Sequence, residues 1–417
     1  MSLGKTFWGS TSLLLAGTVA AQAITFLLSF LLARIYAPDD FGRFSVFVGF
    51  AGALGAAATG AFDRVILLGE SLAEGRRAAT LTLLCATVVA CLVAVLGCAL
   101  AQFSPLVLPL PFIDIVLFLP LFIIFYGAAQ AFVYGALRSG AVRALAGLKV
   151  AQSAAMGSVQ LVAAGLSHVS GLILGNLVGW SMLAIAGLHW RLKHRHIRGD
   201  LKFNSLVQTA RTHWRYPRYT MPNELLDNIS NQVPILLIGS IASLSLAGHY
   251  GLALMMLSAP AALAGQAVGQ SFMQYLGGQG EAGIGIRRAM FQIWAVLAGL
   301  GILPFAAILG FGPDIFAFAF GANWREAGHV AQALSVLLFV RFISSPTSTV
   351  YLKLGMQQYQ WRFCLLAVVY RSAAYSLLAF DVSLQSVIII HVVAECLAIA
   401  GYNYVALREL ERRGAAA

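Results

Sequence analysis

The chain is poor in charged residues. Asp, Glu, Lys and Arg make up only 10% of its 417 residues, whereas they make up about a quarter of a soluble globular protein. This shortage excludes a water-soluble enzyme, a disordered protein and a nucleic-acid binder of the ordinary type. The apolar share of 59% indicates instead that most of the chain lies inside a membrane.

Cysteine is also scarce. The five cysteines all lie in apolar runs, and none has the spacing of a zinc ligand set. Their odd number argues against a disulfide framework, so we interpret them as small core residues. We expect no metal and no bound cofactor, and we leave open a coupling of function to H⁺ or Na⁺.

Long polar loops are few. Twelve apolar runs, each long enough to cross about 30 Å of hydrocarbon, alternate with short polar connections. No connection on the outer face exceeds about 15 residues, which together with the absence of a nucleophile constellation argues against a glycan-transferring membrane enzyme. The runs cover residues 7–35, 42–68, 78–101, 112–135, 142–166 and 170–188, and then 222–241, 247–275, 289–311, 327–352, 363–380 and 385–407.

One connection, residues 189–220, is longer and strongly basic. It is either a linker between two halves of the protein or a surface that binds anionic lipid headgroups. We predict an all-α polytopic membrane protein with twelve transmembrane helices. Its parts are an N-terminal six-helix lobe (1–188), a basic cytoplasmic linker (189–220) and a C-terminal six-helix lobe (221–417).

The basic residues predict the orientation of the chain. Twenty of the 27 Lys and Arg residues fall on one side if the loops alternate from a cytoplasmic N-terminus. Cytoplasmic loops of membrane proteins are enriched in Lys and Arg. We therefore predict that both termini are cytoplasmic, and that the net charge of +11 is chiefly an orientation signal.

The two halves contain a short repeat. Shifted by 206 residues, the segment 31–44 (LLARIYAPDDFGRF) aligns with 237–250 (LIGSIASLSLAGHY), so that GRF falls on GHY. Two pseudo-symmetric bundles around a central cavity are expected of a transporter with such a repeat. The same shift places Arg64 on Gln270, which forms a polar stripe with Gln266, and we expect these residues to face the cavity or to bond neighbouring helices.

Three segments resemble those of a known family. The outer turn YAPDDFG (36–42), the end of the second span GAFD (60–63) and the turn YGALRSG (134–140) are similar to the pattern of polysaccharide-export and O-antigen-unit flippases. These belong to the multidrug/oligosaccharidyl-lipid/polysaccharide (MOP) exporter superfamily. The twelve spans and the basic central connection extend the resemblance over the whole chain.

The resemblance implies a fold and a substrate. The fold would be two six-helix lobes of the MATE type, with a cavity that opens alternately to each face. The substrate would be an oligosaccharide linked by pyrophosphate to a polyprenyl lipid, moved from the cytoplasmic to the periplasmic leaflet of the bacterial inner membrane. Membrane lipids and other polysaccharide-assembly proteins would be its partners, and nucleic acid would not. The alternative is a cation-coupled multidrug antiporter of the MATE type.

Four cations lie within the predicted spans: Arg64, Lys149, Arg341 and Arg371. A charge inside the bilayer requires a partner, water or a function. The guanidinium group offers donors that suit phosphate oxygens, so we predict that these four residues contact the substrate. The alternative is internal pairing with the acidic residues of the spans, which are Asp63, Glu224, Asp227 and Glu395.

Several acidic residues are candidates for ion coupling. His391 and Glu395 lie four residues apart on the last span and therefore share one helical face. A carboxylate beside a histidine can bind a proton or another cation. Asp63 and Asp227 are further candidates. For Glu395, the alternative is an ion pair with Arg371 or Arg341.

Overall fold

A computed structural model describes residues 2–103, 111–164, 171–193, 202–278 and 283–416. Within these ranges it contains fifteen α-helices and no strand. The helices are α1 (Ser2–Ile35), α2 (Pro38–Ala58), α3 (Asp63–Leu68), α4 (Leu72–Phe103), α5 (Pro111–Arg138), α6 (Val142–Ala163), α7 (Gly171–Lys193), α8 (Phe203–Thr212), α9 (Met221–Leu237), α10 (Leu244–Gly278), α11 (Gly283–Phe320), α12 (Arg325–Ser344), α13 (Val350–Leu354), α14 (Gln357–Ser376) and α15 (Leu384–Ala416).

Each of the twelve predicted spans contains one long helix. Of the three short helices, α3 lies within the second predicted span, α13 overlaps the end of the tenth, and α8 lies in the basic connection. In the described part of the chain, nine helices are long and apolar enough to cross a membrane by length and composition. The helices α2, α6 and α10 complete the set of twelve.

The second span differs from the prediction. We expected one helix over 42–68, but α2 ends at Ala58 and α3 begins at Asp63. Gly60 and Ala61 between them both have φ near +57°. A helix cannot continue through two residues in the left-handed region, so the chain turns here and α3 starts in a new direction.

Proline affects the spans unequally. Pro120 and Pro304 lie inside the continuous helices α5 and α11. Pro346, in contrast, lies in a 3₁₀ turn, Ser345–Thr347, that separates α12 from α13. The tenth predicted span is therefore divided at Pro346, which lacks the N–H that a continuous helix requires.

The helices expose apolar side chains. On α11, Leu303 and Phe318 are 78% and 87% exposed. Large apolar side chains on the outer surface of long helices are what a lipid environment requires and water disfavours. This pattern agrees with the apolar composition and identifies a multi-pass membrane protein.

The chain divides into two compact units. Unit 1 consists of Met1–Tyr36 and Arg43–Gln232, and unit 2 of Ala37–Gly42 and Val233–Ala417. In unit 1, α1 packs on α6, α4 on α5, and α7 on both α5 and α6, while α8, from the basic connection, packs on α4. Residues 194–201 of that connection lie outside the described residues.

Unit 2 contains a close approach between the two repeated segments. A Cβ on Gly42 would lie 1.8 Å from the carbonyl oxygen of Leu244, and a Cβ on Gly248 would lie 1.9 Å from that of Pro38. The shift of 206 residues carries Pro38 onto Leu244 and Gly42 onto Gly248. The two contacts therefore exchange under the repeat, as they must if a local twofold relates these segments.

Candidate functional site

A cavity of about 470 Å³ lies within unit 1. Its volume is that of a small-molecule site. Small and apolar residues of α2 form part of its wall, and α3, α5, α7 and α9 form the rest. The functional side chains that line it are Arg64, Phe122, Tyr126, Asn176, Trp180, Glu224, Asn228 and Gln232.

The lining residues have a common spacing along their helices. Side chains four residues apart lie one above the other on a helix. Three helices therefore each present one face of polar or aromatic groups to the cavity. The sets are Phe122 and Tyr126 on α5, Asn176 and Trp180 on α7, and Glu224, Asn228 and Gln232 on α9.

Arg64 is held at the cavity by an ion pair with Glu224. Its Nη2 donates to Glu224 Oε1 at 2.5 Å, and the two side chains are 43% and 27% exposed. The guanidinium also lies over the ring of Tyr134, 5.9 Å from its centroid. Since the guanidinium group has five N–H donors, this carboxylate contact leaves donors for a second anion. Both proposed partners of Arg64, an acid of the spans and a ligand, are therefore compatible with its geometry.

Two polar atoms of the cavity residues have no partner. Among the described residues, Arg64 Nε and Asn176 Oδ1 are buried and make no hydrogen bond. Buried polar atoms are nearly always hydrogen-bonded. Both atoms belong to residues that line the cavity.

An aromatic cluster of Phe122, Tyr126 and Trp180 forms the apolar part of the cavity wall. The Tyr126 and Trp180 rings are tilted by 55° with centroids 5.0 Å apart, and Phe122 stacks on Tyr126 at 5.8 Å. Phe122 is buried, whereas Tyr126 and Trp180 are half-buried. Gln130 Nε2 donates to the Tyr126 hydroxyl at 2.7 Å, which leaves the hydroxyl proton available to an acceptor.

Unit 2 contains a separate charged cluster around Glu395. This carboxylate is 7% exposed and receives two hydrogen bonds from Arg371, Nε to Oε2 at 2.9 Å and Nη2 to Oε1 at 2.6 Å. Arg341 Nη2 donates to Oε1 at 2.5 Å, and the Tyr370 hydroxyl donates to Oε2. His391 Nε2 lies 3.3 Å from Oε2. The ion pairs of Glu395 with Arg371 and Arg341 are therefore present.

The two arginines of this cluster differ in exposure. The Arg371 side chain is 5% exposed and its fork is engaged by Glu395, whereas Arg341 is 33% exposed. With one carboxylate and two guanidinium groups, the ionised cluster has a net charge of +1. The ion-coupling role of His391 and Glu395 stays a prediction, as does the substrate contact of Arg341 and Arg371.

The other predicted residues whose side chains are described are not among the residues that line the unit 1 cavity. Lys149 is half-buried on α6, and its Nζ lies 3.5 Å from Thr18 Oγ1. Asp63 is buried next to Arg64, while Asp227 is exposed on α9. On α10 in unit 2, Gln270 is exposed. Gln266 lies on the same helix, and its side chain is outside the described part of the structure.

The sequence did not indicate that α5 and α7 form walls of the cavity. Tyr126, Asn176 and Trp180 lie in runs that are otherwise apolar, where aromatic residues are ordinary core residues. The signal that was available is the spacing of four residues between Asn176 and Trp180, a polar and an amphipathic side chain on one face.

Within the described ranges, no group of three or more His, Cys, Asp or Glu side chains is placed to hold a metal ion. The cysteines there are free thiols.

The cavity of unit 1 offers an ion pair, amides and aromatic rings, which are groups that can bind a polar ligand.

Comparisons with known proteins agree with this architecture. Residues 31–329 match the profile of a family described as polysaccharide biosynthesis protein, whereas no curated protein matches the chain in sequence. The fold is similar to that of the lipid II flippase MurJ in an inward closed conformation, with a TM-score of 0.76 at 10% identity over 96% of this chain and 90% of that one.

The fold is also similar to that of a multidrug resistance MATE family transporter of the MOP superfamily. The inward-facing conformation of that transporter gives a TM-score of 0.64 at 13% identity over 95% of both chains. The outward-facing conformation gives 0.63 at 12% identity over 97% of this chain and 96% of that one. At these identities the likeness concerns the fold, and it confirms the predicted fold class, an all-α polytopic membrane protein with a MATE-like fold.

Proposed function

Since the chain belongs to the polysaccharide biosynthesis protein family, we propose that it is a flippase for a polyprenyl-pyrophosphate-linked oligosaccharide. The transported molecule would be an O-antigen or exopolysaccharide repeat unit. It would move from the cytoplasmic to the periplasmic leaflet of the bacterial inner membrane by alternating access. No covalent chemistry is required, because the lipid-linked sugar is the same molecule on both sides.

The observation that carries this proposal is the position of Arg64. It lines a cavity in a membrane protein, and only one of its donors is used by Glu224. A pyrophosphate that leaves the headgroup region needs charge-assisted hydrogen bonds, which a guanidinium group supplies in a planar fork. Glu224 keeps the arginine neutralised until the substrate arrives, so an unpaired charge is not left within the span.

The test is complementation of a bacterial strain that lacks a known flippase, with analysis of the glycan that reaches the cell surface. The chain should restore surface glycan. Arg64→Ala should lower its rate of appearance about tenfold or more, because a hydrogen bond to a charged group contributes about 1.5–3 kcal/mol. Arg64→Lys should retain part of the rate, since it keeps the charge but not the fork.

The control is Arg287→Ala, which removes an arginine of similar exposure from its ion pair with Glu411. This variant should transport normally. Full transport by Arg64→Ala at normal protein level would refute the role of Arg64. Restored tolerance to cationic drugs without any surface glycan would favour the MATE-type antiporter instead.

We also propose that both termini are cytoplasmic. The supporting observation is the concentration of Lys and Arg in alternate connections of the sequence. A green fluorescent protein fused after residue 417 should fluoresce in cells, because it fails to mature when exported unfolded. A dark fusion of normal abundance would contradict this orientation.

A further inference from the structure

We propose that the cavity of unit 1 binds the sugar ring that is bonded directly to the pyrophosphate, so that unit 1 selects the first sugar of the substrate. This inference rests on the proposed function and names the part of the substrate that each wall recognises. Arg64 would contact the phosphate. The wall formed by α5 and α7 would contact the sugar.

The aromatic rings carry the first part of the argument. A pyranose ring has one face of C–H bonds, which are weakly positive, and the face of an aromatic ring is weakly negative. Tyr126 and Trp180 are half-buried and line the cavity. Phe122 packs against both rings, with centroids 5.8 Å away in each case. The two half-buried rings are thus held in place, and little side-chain entropy is lost when a ligand stacks on them.

The amides carry the second part. Hydroxyl groups of a sugar both donate and accept hydrogen bonds, and so do amide side chains. Asn176 lines the cavity from α7. Asn228 Nδ2 donates to the Glu224 carbonyl oxygen at 2.7 Å, which fixes that amide and leaves its oxygen for a donor. Gln232 adds a third amide one helical turn further along α9.

The charge of the cavity indicates the class of sugar. Its two ionised side chains, Arg64 and Glu224, neutralise each other. The described lining residues carry no further charge, and a wall of aromatic rings and amides suits a neutral hexose or an N-acetylhexosamine. Acidic sugars would place a second carboxylate where only one guanidinium group is available, and that group is needed for the phosphate.

The experiment measures the affinity of the purified full-length protein in lipid nanodiscs for four probes. Three are farnesyl pyrophosphates that bear glucose, galactose or N-acetylglucosamine. The fourth is the methyl ester of farnesyl pyrophosphate, which has the same charge but no sugar. The wild type should bind at least one glycosylated probe about tenfold more tightly than the methyl ester, as expected for one stacked ring and its hydrogen bonds.

Variants locate the preference. Trp180→Ala and Asn176→Ala should each reduce it severalfold while the affinity for the methyl ester stays unchanged. Trp180→Phe, which keeps an aromatic face, should retain most of it. The matched control is Trp214→Ala, which removes a tryptophan of unit 1 that is 42% exposed and does not line the cavity.

Two outcomes overturn the inference. One is a wild type that binds no glycosylated probe better than the methyl ester. The other is a pair of cavity variants that weaken all four probes equally or none of them. Either result, together with successful complementation, would refute the sugar site and leave the proposed function standing. Failed complementation would refute the proposed function whatever the probes show.

Discussion

At the scale of single residues, the single negative charge of Glu395 faces the positive charges of two arginines. Two arginines, a tyrosine and a histidine direct hydrogen bonds or ring nitrogens at one carboxylate that is 7% exposed. A buried ion pair contributes little net stability, but the loss of one partner leaves the other charge buried and uncompensated. Removing the carboxylate should therefore be far more harmful than its modest contribution suggests.

Glu395→Gln should destabilise the protein by about 3–5 kcal/mol, because Arg371 is then left buried with no opposing charge. Thermal unfolding of the purified protein in detergent measures the effect. The control is Glu409→Gln on the same helix, which disrupts an i, i+4 pair with Arg413 that is partly exposed. That change should destabilise the folded protein by no more than about 0.5 kcal/mol. Equal shifts in the two variants would contradict the prediction.

The sequence reveals which residues are charged within the spans but not which of them meet. Arg64 and Glu224 are separated by 160 positions, and no local pattern connects them. For Glu395, the candidates Arg341 and Arg371 could be named because they were the few cations in neighbouring spans. That both would bind the same carboxylate depends on the packing of α12, α14 and α15, which the periodicity of each helix does not specify.

At the scale of the helices, the break between α2 and α3 gives Arg64 its position. The apolar run 42–68 predicts one continuous span, because Gly and Ala are apolar enough to continue it. The hydropathy of a run contains no information about its backbone angles. The left-handed conformation of Gly60 and Ala61 could therefore not be predicted from it. The twelve spans themselves were predictable, since the length of an apolar run alone determines whether a helix can cross the bilayer.

Gly60→Ala should lower the unfolding temperature clearly. The alanine would have to keep φ near +57°, and its Cβ would lie 3.0 Å from Cys85 Sγ, so crowding adds to the left-handed penalty of about 1–2 kcal/mol. Gly140→Ala is the matched control. It also has positive φ, +70°, but nothing lies within 4 Å of its Cβ, so only the backbone penalty applies. A larger loss at Gly140 than at Gly60 would be inconsistent with this account.

At the scale of the whole molecule, the reciprocal contact of Gly42 with Leu244 and of Gly248 with Pro38 ties together the two repeated segments. The offset of 206 residues was visible in the sequence as GRF and GHY. The sequence could not show that the repeated glycines are in contact with backbone rather than with side chains. Sequence similarity gives a register, whereas the distance between two backbones follows only from the folded chain.

Gly42→Ala and Gly248→Ala should each lower the unfolding temperature strongly, because either Cβ would lie within 2 Å of a carbonyl oxygen. The double variant should lose less than the sum of the two, since one separation of the segments relieves both clashes. Gly299→Ala on α11 is the control, with nothing within 4 Å of its Cβ, and it should be neutral or stabilising. Additive losses in the double variant would show that the two contacts are independent.

The paired glycines also bear on how the two halves can diverge after a duplication. Where side chains meet, one substitution can be compensated by another across the interface, and the original resemblance is gradually erased. A contact between two backbones permits no such exchange, because only glycine fits on either side. Drift is therefore blocked at this crossing while it continues elsewhere, and a short stretch of sequence can preserve the register of an ancient duplication.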